Sequence, residues 1–163
     1  MTLSIRAAGL HDADTVWSLI EPVLRAGETY ALPRDISRDD ALEFWMGTGK
    51  WCFIAEREGV AVGTYVMKTN HLGGGDHVAN CGYVTGEAAR GKGVARALCE
   101  HSQTEAARLG FAAIQFNFVV STNEGAIRLW KRLGFAIVGT LPGAFRHPIH
   151  GRVDAHVMFK TLI

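Results

Sequence analysis

Six consecutive residues in the second half of the chain have the composition of an anion-binding loop. They are Arg90, Gly91, Lys92, Gly93, Val94 and Ala95. Glycines let backbone N–H groups come close to a ligand, and the first turn of a helix leaves its N–H groups unpaired at the positive end of the helix dipole. The side chains of Arg90, Lys92 and Arg96 add full positive charges. This composition predicts a diphosphate-binding site.

The segments on either side of this loop have the patterns of a strand and a helix. Residues 78–85 are mostly apolar, with enough β-branched and aromatic side chains to predict a strand. Residues 93–109 are rich in Ala, Leu, Arg, Gln and Glu, which predicts a helix that stops at Gly110. The sequence therefore predicts a strand, a glycine loop and a helix N-terminus in that order.

Other glycine-loop motifs fit this segment less well. A Walker loop needs four residues between its glycines and then Gly-Lys-Ser/Thr, which the segment lacks. A dinucleotide fingerprint needs a small residue three positions after Gly93, where Arg96 stands. The remaining alternative is an ordinary helix start with solvated charges.

A second segment, residues 123–135, predicts a short helix that ends at a glycine and leads into a strand. Its anchor residues are Asn123, Ala126, Leu129, Trp130, Gly134 and Phe135. Between the two segments, residues 111–120 form a strongly apolar run, which predicts a central strand interrupted by Gln115 and Asn117.

Both segments resemble the acetyl-CoA motifs of the GCN5-related N-acetyltransferase (GNAT) superfamily. Arg90, Gly93 and Ala95 match Arg-x-x-Gly-x-Ala of its pyrophosphate loop, and residues 123–135 match Asn-x-x-Ala-x-x-Leu-Tyr-x-x-x-Gly-Phe, with Trp130 at the tyrosine position. The resemblance covers about residues 50–160, and the first 50 residues match only in element order. It implies a single α/β (α+β) domain whose mixed central sheet is flanked by helices and splays open.

The resemblance also implies where acetyl-CoA binds. The cosubstrate would lie between the strand that ends near residues 82–85 and the strand at residues 113–119, with its diphosphate on residues 91–95. Its pantetheine arm would pair with the backbone of Tyr83, Val84 and Thr85. Asn123 would reach the pantetheine arm, cap the following helix, or do both.

The tryptophan at position 130 bears on the reaction mechanism. In the superfamily a tyrosine there often protonates the departing CoA thiolate, but an indole N–H is no acid near neutral pH. A CoA thiol has a pKa of about 8.5, so the thiolate can leave unprotonated. The alternative for Trp130 is an aromatic of the core or cleft wall, and Tyr30 and Tyr83 are candidate replacement hydroxyls.

Two asparagines are candidate substrate ligands. Asn80 and Asn117 lie on the two predicted strands that flank the splay, so both can point into the cleft. They would hold the carboxylate or amide of a small substrate, or else bond to nearby backbone. The segments around them, with residues 27–30, 122–123 and 153–155, resemble yeast N-acetyltransferases that detoxify proline analogues.

Composition limits the alternatives. With 163 residues that are 48% hydrophobic, the chain predicts one domain, residues 1–163, with a substantial core. A net charge of +1 argues against a nucleic-acid partner, and no apolar run approaches membrane-spanning length. Three cysteines without framework spacing and the lack of a signal-peptide pattern predict a cytoplasmic protein. The sequence is compatible with a homodimer.

The histidines do not predict a metal site. His71 and His77 flank a glycine-rich loop that would hold ligands poorly, and the prolines and glycines of residues 142–151 predict an exposed loop around His147 and His150. Elsewhere the pattern predicts a strand at residues 3–7, a helix that weakens near Pro22 and ends by Gly27, a helix at 38–46 and a hairpin at 51–68.

The expected function is transfer of acetyl from acetyl-CoA to the amine of a small amino-acid-like substrate. The predicted strand that carries Asn80 lacks a well-placed acid, which disfavours strongly basic lysine acceptors. Two alternatives remain, a peptide or protein N-terminal acetyltransferase and a non-catalytic CoA-binding sensor.

Overall fold

The computed structural model describes residues 2–163, which form seven β-strands and four α-helices. The strands are β1 (Leu3–Ala7), β2 (Lys50–Arg57), β3 (Val60–Thr69), β4 (Val78–Thr85), β5 (Ala113–Val120), β6 (Ala136–His147) and β7 (Gly151–Thr161). The helices are α1 (Ala13–Ala26), α2 (Arg38–Met46), α3 (Val94–Arg108) and α4 (Glu124–Arg132).

All seven strands belong to one sheet, in the order β1-β2-β3-β4-β5-β7-β6. Neighbouring strands are antiparallel except for β4 and β5, which run parallel. The connection between β4 and β5 passes through α3, as a parallel pair requires. The expected mixed sheet flanked by helices is confirmed.

The parallel pair separates after three residues. Val78, Ala79 and Asn80 pair with Ala113, Ile114 and Gln115. Beyond this fork, residues 81–85 of β4 and 116–120 of β5 no longer pair with each other. A strand edge that no neighbour uses keeps backbone N–H and C=O groups available to a ligand.

Successive side chains along the strands point to opposite faces of the sheet, and each face has its own apolar cluster. On one face, Cys52 and Ile54 of β2 pack with α1 and α2, and Trp45 is fully buried. On the other face, Phe53 and Ala55 pack with α3 and α4. The four helices are therefore divided between the two faces of the sheet.

The entry to α1 is held by a partly buried ion pair rather than by a side-chain cap. Both carboxylate oxygens of Asp12 accept hydrogen bonds of 2.9 Å from the Arg6 guanidinium, and one also accepts the Gly9 N–H at 2.8 Å. These donors hold the pKa of Asp12 well below its usual range.

The helix α1 continues through Pro22 and ends at Gly27, whose φ of +67° suits glycine.

The expected loop at residues 142–151 is largely strand, so that expectation was wrong. β6 continues to His147, and its register with β7 shifts between Leu141 and Phe145. The extra residues form a bulge in which the Gly143 N–H donates to the Asp154 carboxylate at 2.9 Å. Proline and glycine here mark a bulge on an edge strand, and His147 is buried.

None of the helices formed by residues 2–163 combines the length and apolar character needed to cross a membrane. Within the same residues, no group of three or more His, Cys, Asp or Glu side chains is arranged to hold a metal ion.

Candidate active site

The separation of β4 and β5 opens a cleft of about 1330 Å³. Its walls are the free parts of the two strands, the loop before α3, the inner side of α4, and the loop after α1. The cleft thus has a glycine-loop end near α3 and a second end near the fork, which we call the acceptor end. The acceptor end is defined by Glu28, Tyr30, Phe44, Lys68, Asn80 and Asn117.

The glycine-loop end has the geometry of an anion cradle. Gly91 and Gly93 have φ values of +73° and +80°, and a Cβ on either would meet no atom within 4 Å, so the backbone faces open space. The first turn of α3 follows directly, with its unpaired N–H groups. Arg90 and Arg96 also line the cleft. These residues fit a diphosphate group.

Two residues of the predicted loop do not line the cleft. The Lys92 ammonium donates to the Ala88 carbonyl at 3.1 Å, and the Val94 side chain is 1% exposed within the core. The Lys92 carbonyl accepts from Arg57 at 3.3 Å, which ties the loop to β2. Their contribution to a ligand would therefore come through backbone N–H groups and not through side chains.

The β4 wall includes Tyr83, Val84 and Thr85, the residues predicted to pair with the pantetheine arm. The Val84 side chain is buried among α1 and α2, so its backbone is what it offers to a ligand. Ser102 donates to the Cys99 carbonyl and accepts from the Tyr83 hydroxyl, both at 2.7 Å. Burial raises the pKa of Tyr83 well above its ordinary value, so this phenol is a poor proton source for the cleft.

Across the cleft, Trp130 and Asn123 form part of the α4 wall. The Trp130 ring is 8% exposed, with its centroid 5.0 Å from that of Tyr83 and 5.4 Å from that of Phe116. Asn123 precedes α4, but its side chain makes no capping hydrogen bond. Its backbone carbonyl accepts the Ile127 N–H at 3.1 Å, so the backbone, and not the side-chain amide, meets the first turn of α4.

At the acceptor end, the two asparagines are held by different partners. Asn80 donates to the Gln115 carbonyl at 3.0 Å, directly across the fork. Asn117 lies in a bulge of β5, donates to Asn70 at 2.7 Å and accepts from Gln115 at 2.9 Å. Each asparagine uses one amide N–H in these bonds, so each has a second N–H to offer.

Tyr30 also borders the acceptor end, but its hydroxyl is committed to the strand. It donates to the Tyr83 carbonyl at 3.0 Å. Burial raises the pKa of Tyr30 above its ordinary value. The phenol therefore stays protonated at neutral pH and acts as a fixed hydrogen-bond donor.

The sequence did not reveal Lys68 and Phe44 as wall residues of the acceptor end. Within residues 2–163, Glu28 is the one carboxylate on the cleft wall, and it is exposed. Burial raises the pKa of the nearby Cys81 thiol to about 12, so that thiol is neutral at pH 7.

Residues 17–135 match the Acetyltransferase (GNAT) family. The chain belongs to this family of acyltransferases, whose cosubstrate is acetyl-CoA. The family membership predicted from the two motifs is confirmed.

Individual relatives agree with this assignment. A GCN5-related N-acetyltransferase from Kribbella flavida is 40% identical, with a TM-score of 0.92 and coverage of 98% of this chain and 97% of its own. The N-acetyltransferase aca1 of Schizosaccharomyces pombe is 28% identical over 163 residues, covering 88% of this chain and 77% of the relative. Salmonella typhimurium yncA, described as an acetyltransferase with its cofactor acetyl-CoA, shares the fold with a TM-score of 0.86 at 22% identity, covering 100% of this chain and 95% of its own.

Proposed function

We propose that this protein transfers the acetyl group of acetyl-CoA to the amine of a small, amino-acid-like acceptor. The observation that carries the proposal is one cleft with an anion cradle at one end and a group of polar side chains at the other. The cradle suits the diphosphate of CoA. Asn80 and Asn117 suit a compact polar acceptor, because each has an unused amide N–H.

The reaction is direct transfer. The acceptor nitrogen, as the free amine, bonds to the thioester carbonyl carbon, and the carbon–sulfur bond breaks. The sulfur leaves as a thiolate, which needs no acid at neutral pH because its conjugate thiol has a pKa of about 8.5. The proton lost by nitrogen passes to water or a backbone relay, and Glu28 is the carboxylate that the wall described within residues 2–163 contains. The compartment we propose is the cytoplasm, where Cys52, Cys81 and Cys99 stay reduced.

The deciding experiment measures steady-state thiol release from acetyl-CoA with two sets of acceptors. One set contains the L-amino acids and proline analogues, and the other contains short peptides with free N-termini. The proposal expects kcat/KM for the best small acceptor to exceed that for every peptide. A preference for peptides would instead establish an N-terminal acetyltransferase. Calorimetric binding of acetyl-CoA without turnover on either set would establish a CoA-binding sensor.

A further inference from the structure

Lys68 lies near the end of β3 and lines the acceptor end of the cleft. The register between β3 and β4 places it directly opposite Asn80. Opposed residues of antiparallel strands project from the same face with Cβ atoms about 5 Å apart. The side chains of Lys68 and Asn80 therefore leave the sheet side by side, and both line the acceptor end of the cleft.

The Lys68 ammonium has no acidic partner in the part of the chain that the structure describes. No carboxylate oxygen of residues 2–163 lies within the 4.0 Å of an ion pair, Glu28 on the same cleft wall included. The Lys68 Nζ lies 5.5 Å from the centroid of the Phe44 ring, which also lines the cleft. A cation–π contact steadies the charge but leaves its N–H donors unused.

Lys50 lies beside the same Phe44 ring, but its ammonium already donates a hydrogen bond within the protein. Its Nζ lies 5.7 Å from the Phe44 centroid and donates to the Glu43 carbonyl near the end of α2 at 2.7 Å. Lys50 is not part of the cleft wall. The two lysines share one aromatic neighbour, but only Lys68 combines a cleft position with free donors.

We infer that Lys68 binds a carboxylate of the acceptor and selects acids over the corresponding amides. The inference rests on the proposed function, since it concerns the acceptor of that reaction. The free N–H groups of Asn80 and Asn117 supplement the ammonium, so three donor side chains line this end of the cleft beside the exposed carboxylate of Glu28. A carboxylate accepts from all of them, whereas a carboxamide brings an NH₂ group that cannot accept and carries no charge.

The test compares acids with their carboxamides. L-Amino acids and proline analogues are each assayed beside the corresponding carboxamide. Both the wild type and Lys68→Met are tested, because methionine keeps most of the length of the lysine side chain without its charge. We expect the wild type to favour the acid in kcat/KM. Lys68→Met should lower kcat/KM for the acid by about ten- to a hundredfold, because a hydrogen bond to a charged group is lost, and change that for the carboxamide little.

Two further variants make the result specific. Lys50→Met removes a charge beside the same ring and should leave the acid-to-amide ratio unchanged, while Lys68→Arg should keep most of the wild-type preference. The KM for acetyl-CoA should be the same in all variants, and melting curves verify that each is folded. An unchanged acid-to-amide ratio in folded Lys68→Met overturns the inference alone. Failure of the wild type to acetylate any small acceptor, while acetylating peptides, overturns the proposed function and the inference together.

Discussion

The Tyr30 hydroxyl donates a 3.0 Å hydrogen bond to the backbone carbonyl of Tyr83 and so joins the loop after α1 to the β4 wall of the cleft. The Tyr30 ring also packs edge-on against Trp45, with centroids 5.7 Å apart. Because this hydroxyl is already committed to the strand and burial raises its pKa, we expect Tyr30 to position the strand rather than to transfer a proton. We therefore expect Tyr30, a candidate catalytic hydroxyl in the sequence, to act as a positioning residue.

Replacing Tyr30 with Phe tests this role, because the ring stays and only the hydrogen bond is lost. We expect the free energy of unfolding to fall by about 1 kcal/mol and the melting temperature by about 2–4 °C. The KM for the amine should rise several-fold with kcat nearly unchanged. A general acid would give the reverse pattern, a fall in kcat of about a hundredfold or more at constant melting temperature.

Replacing Gly93 with Glu should abolish acetyl-CoA binding. The new side chain would project into the open space beside the glycine loop and set a carboxylate against the diphosphate. We expect the dissociation constant measured by calorimetry to rise at least about a hundredfold, since close backbone approach and charge complementarity are both lost. The circular dichroism spectrum should remain that of a folded protein.

Gly49 provides the matched control for this variant. It has the same φ of +80°, its surroundings are equally open, and it lies outside the cleft wall. Gly49→Glu therefore introduces the same backbone strain, about 1 kcal/mol, without approaching the ligand. Equal affinity loss in both variants would mean that strain, and not the site, explains the result for Gly93.

The features that sequence predicted well are local ones. The strand, glycine loop and helix around Gly91 and Gly93 follow from residue types within a short window, and the φ values of both glycines agree with that expectation. The short helix α4 and its end before Gly134 were predicted equally well, because the spacing of the apolar residues and the terminating glycine lie within one segment.

Features that depend on strand register were not predictable in the same way. Lys68 reaches the acceptor end because β3 and β4 pair with Lys68 opposite Asn80, and no local pattern encodes that pairing. The bulge that contains Asn117 likewise depends on the pairing of β5 with β7. The bulge near Gly143 was mistaken for a loop, because proline and glycine serve both structures.

Side-chain direction was also beyond the sequence. Tyr83 was a candidate proton source, yet its hydroxyl turns away from the acceptor end to bond Ser102 in α3. The alternation of side chains along a strand predicts which face of the sheet a residue lies on. It does not predict which group its hydroxyl will bond, because that depends on the side chains of the helix packed against that face.

Replacing Trp130 with Phe should leave most of the turnover. The indole packs near Tyr83 and Phe116, and phenylalanine preserves the greater part of those contacts. We expect kcat to stay within about threefold of the wild type, because an indole N–H supplies no proton near neutral pH. Trp130→Tyr is the companion variant, since it restores the hydroxyl common in the family. A markedly higher kcat for Tyr than for Phe would show that protonation of the leaving thiolate limits turnover.

The two asparagines should respond differently to alanine. Asn80→Ala removes the donor to the Gln115 carbonyl at the fork, so we expect unfolding free energy to fall by about 1–2 kcal/mol together with a higher KM for the amine. Asn117 is exposed, so Asn117→Ala should change stability by less than about 0.5 kcal/mol. The KM of Asn117→Ala for the amine should still rise about tenfold, since one hydrogen bond to the acceptor is lost.

Asn70→Ala separates orientation of the Asn117 amide from direct contact with the acceptor. Asn70 accepts the Asn117 amide N–H but is not part of the cleft wall. If Asn117 touches the acceptor, Asn70→Ala should raise the KM for the amine less than Asn117→Ala does, because the amide itself remains. The KM for acetyl-CoA should stay constant throughout. One result would exclude a substrate role for Asn80 and Asn117. In that result Asn80→Ala has a lower melting temperature, while Asn80→Ala and Asn117→Ala both keep the wild-type KM for every small amine. The two asparagines would then only connect the strands.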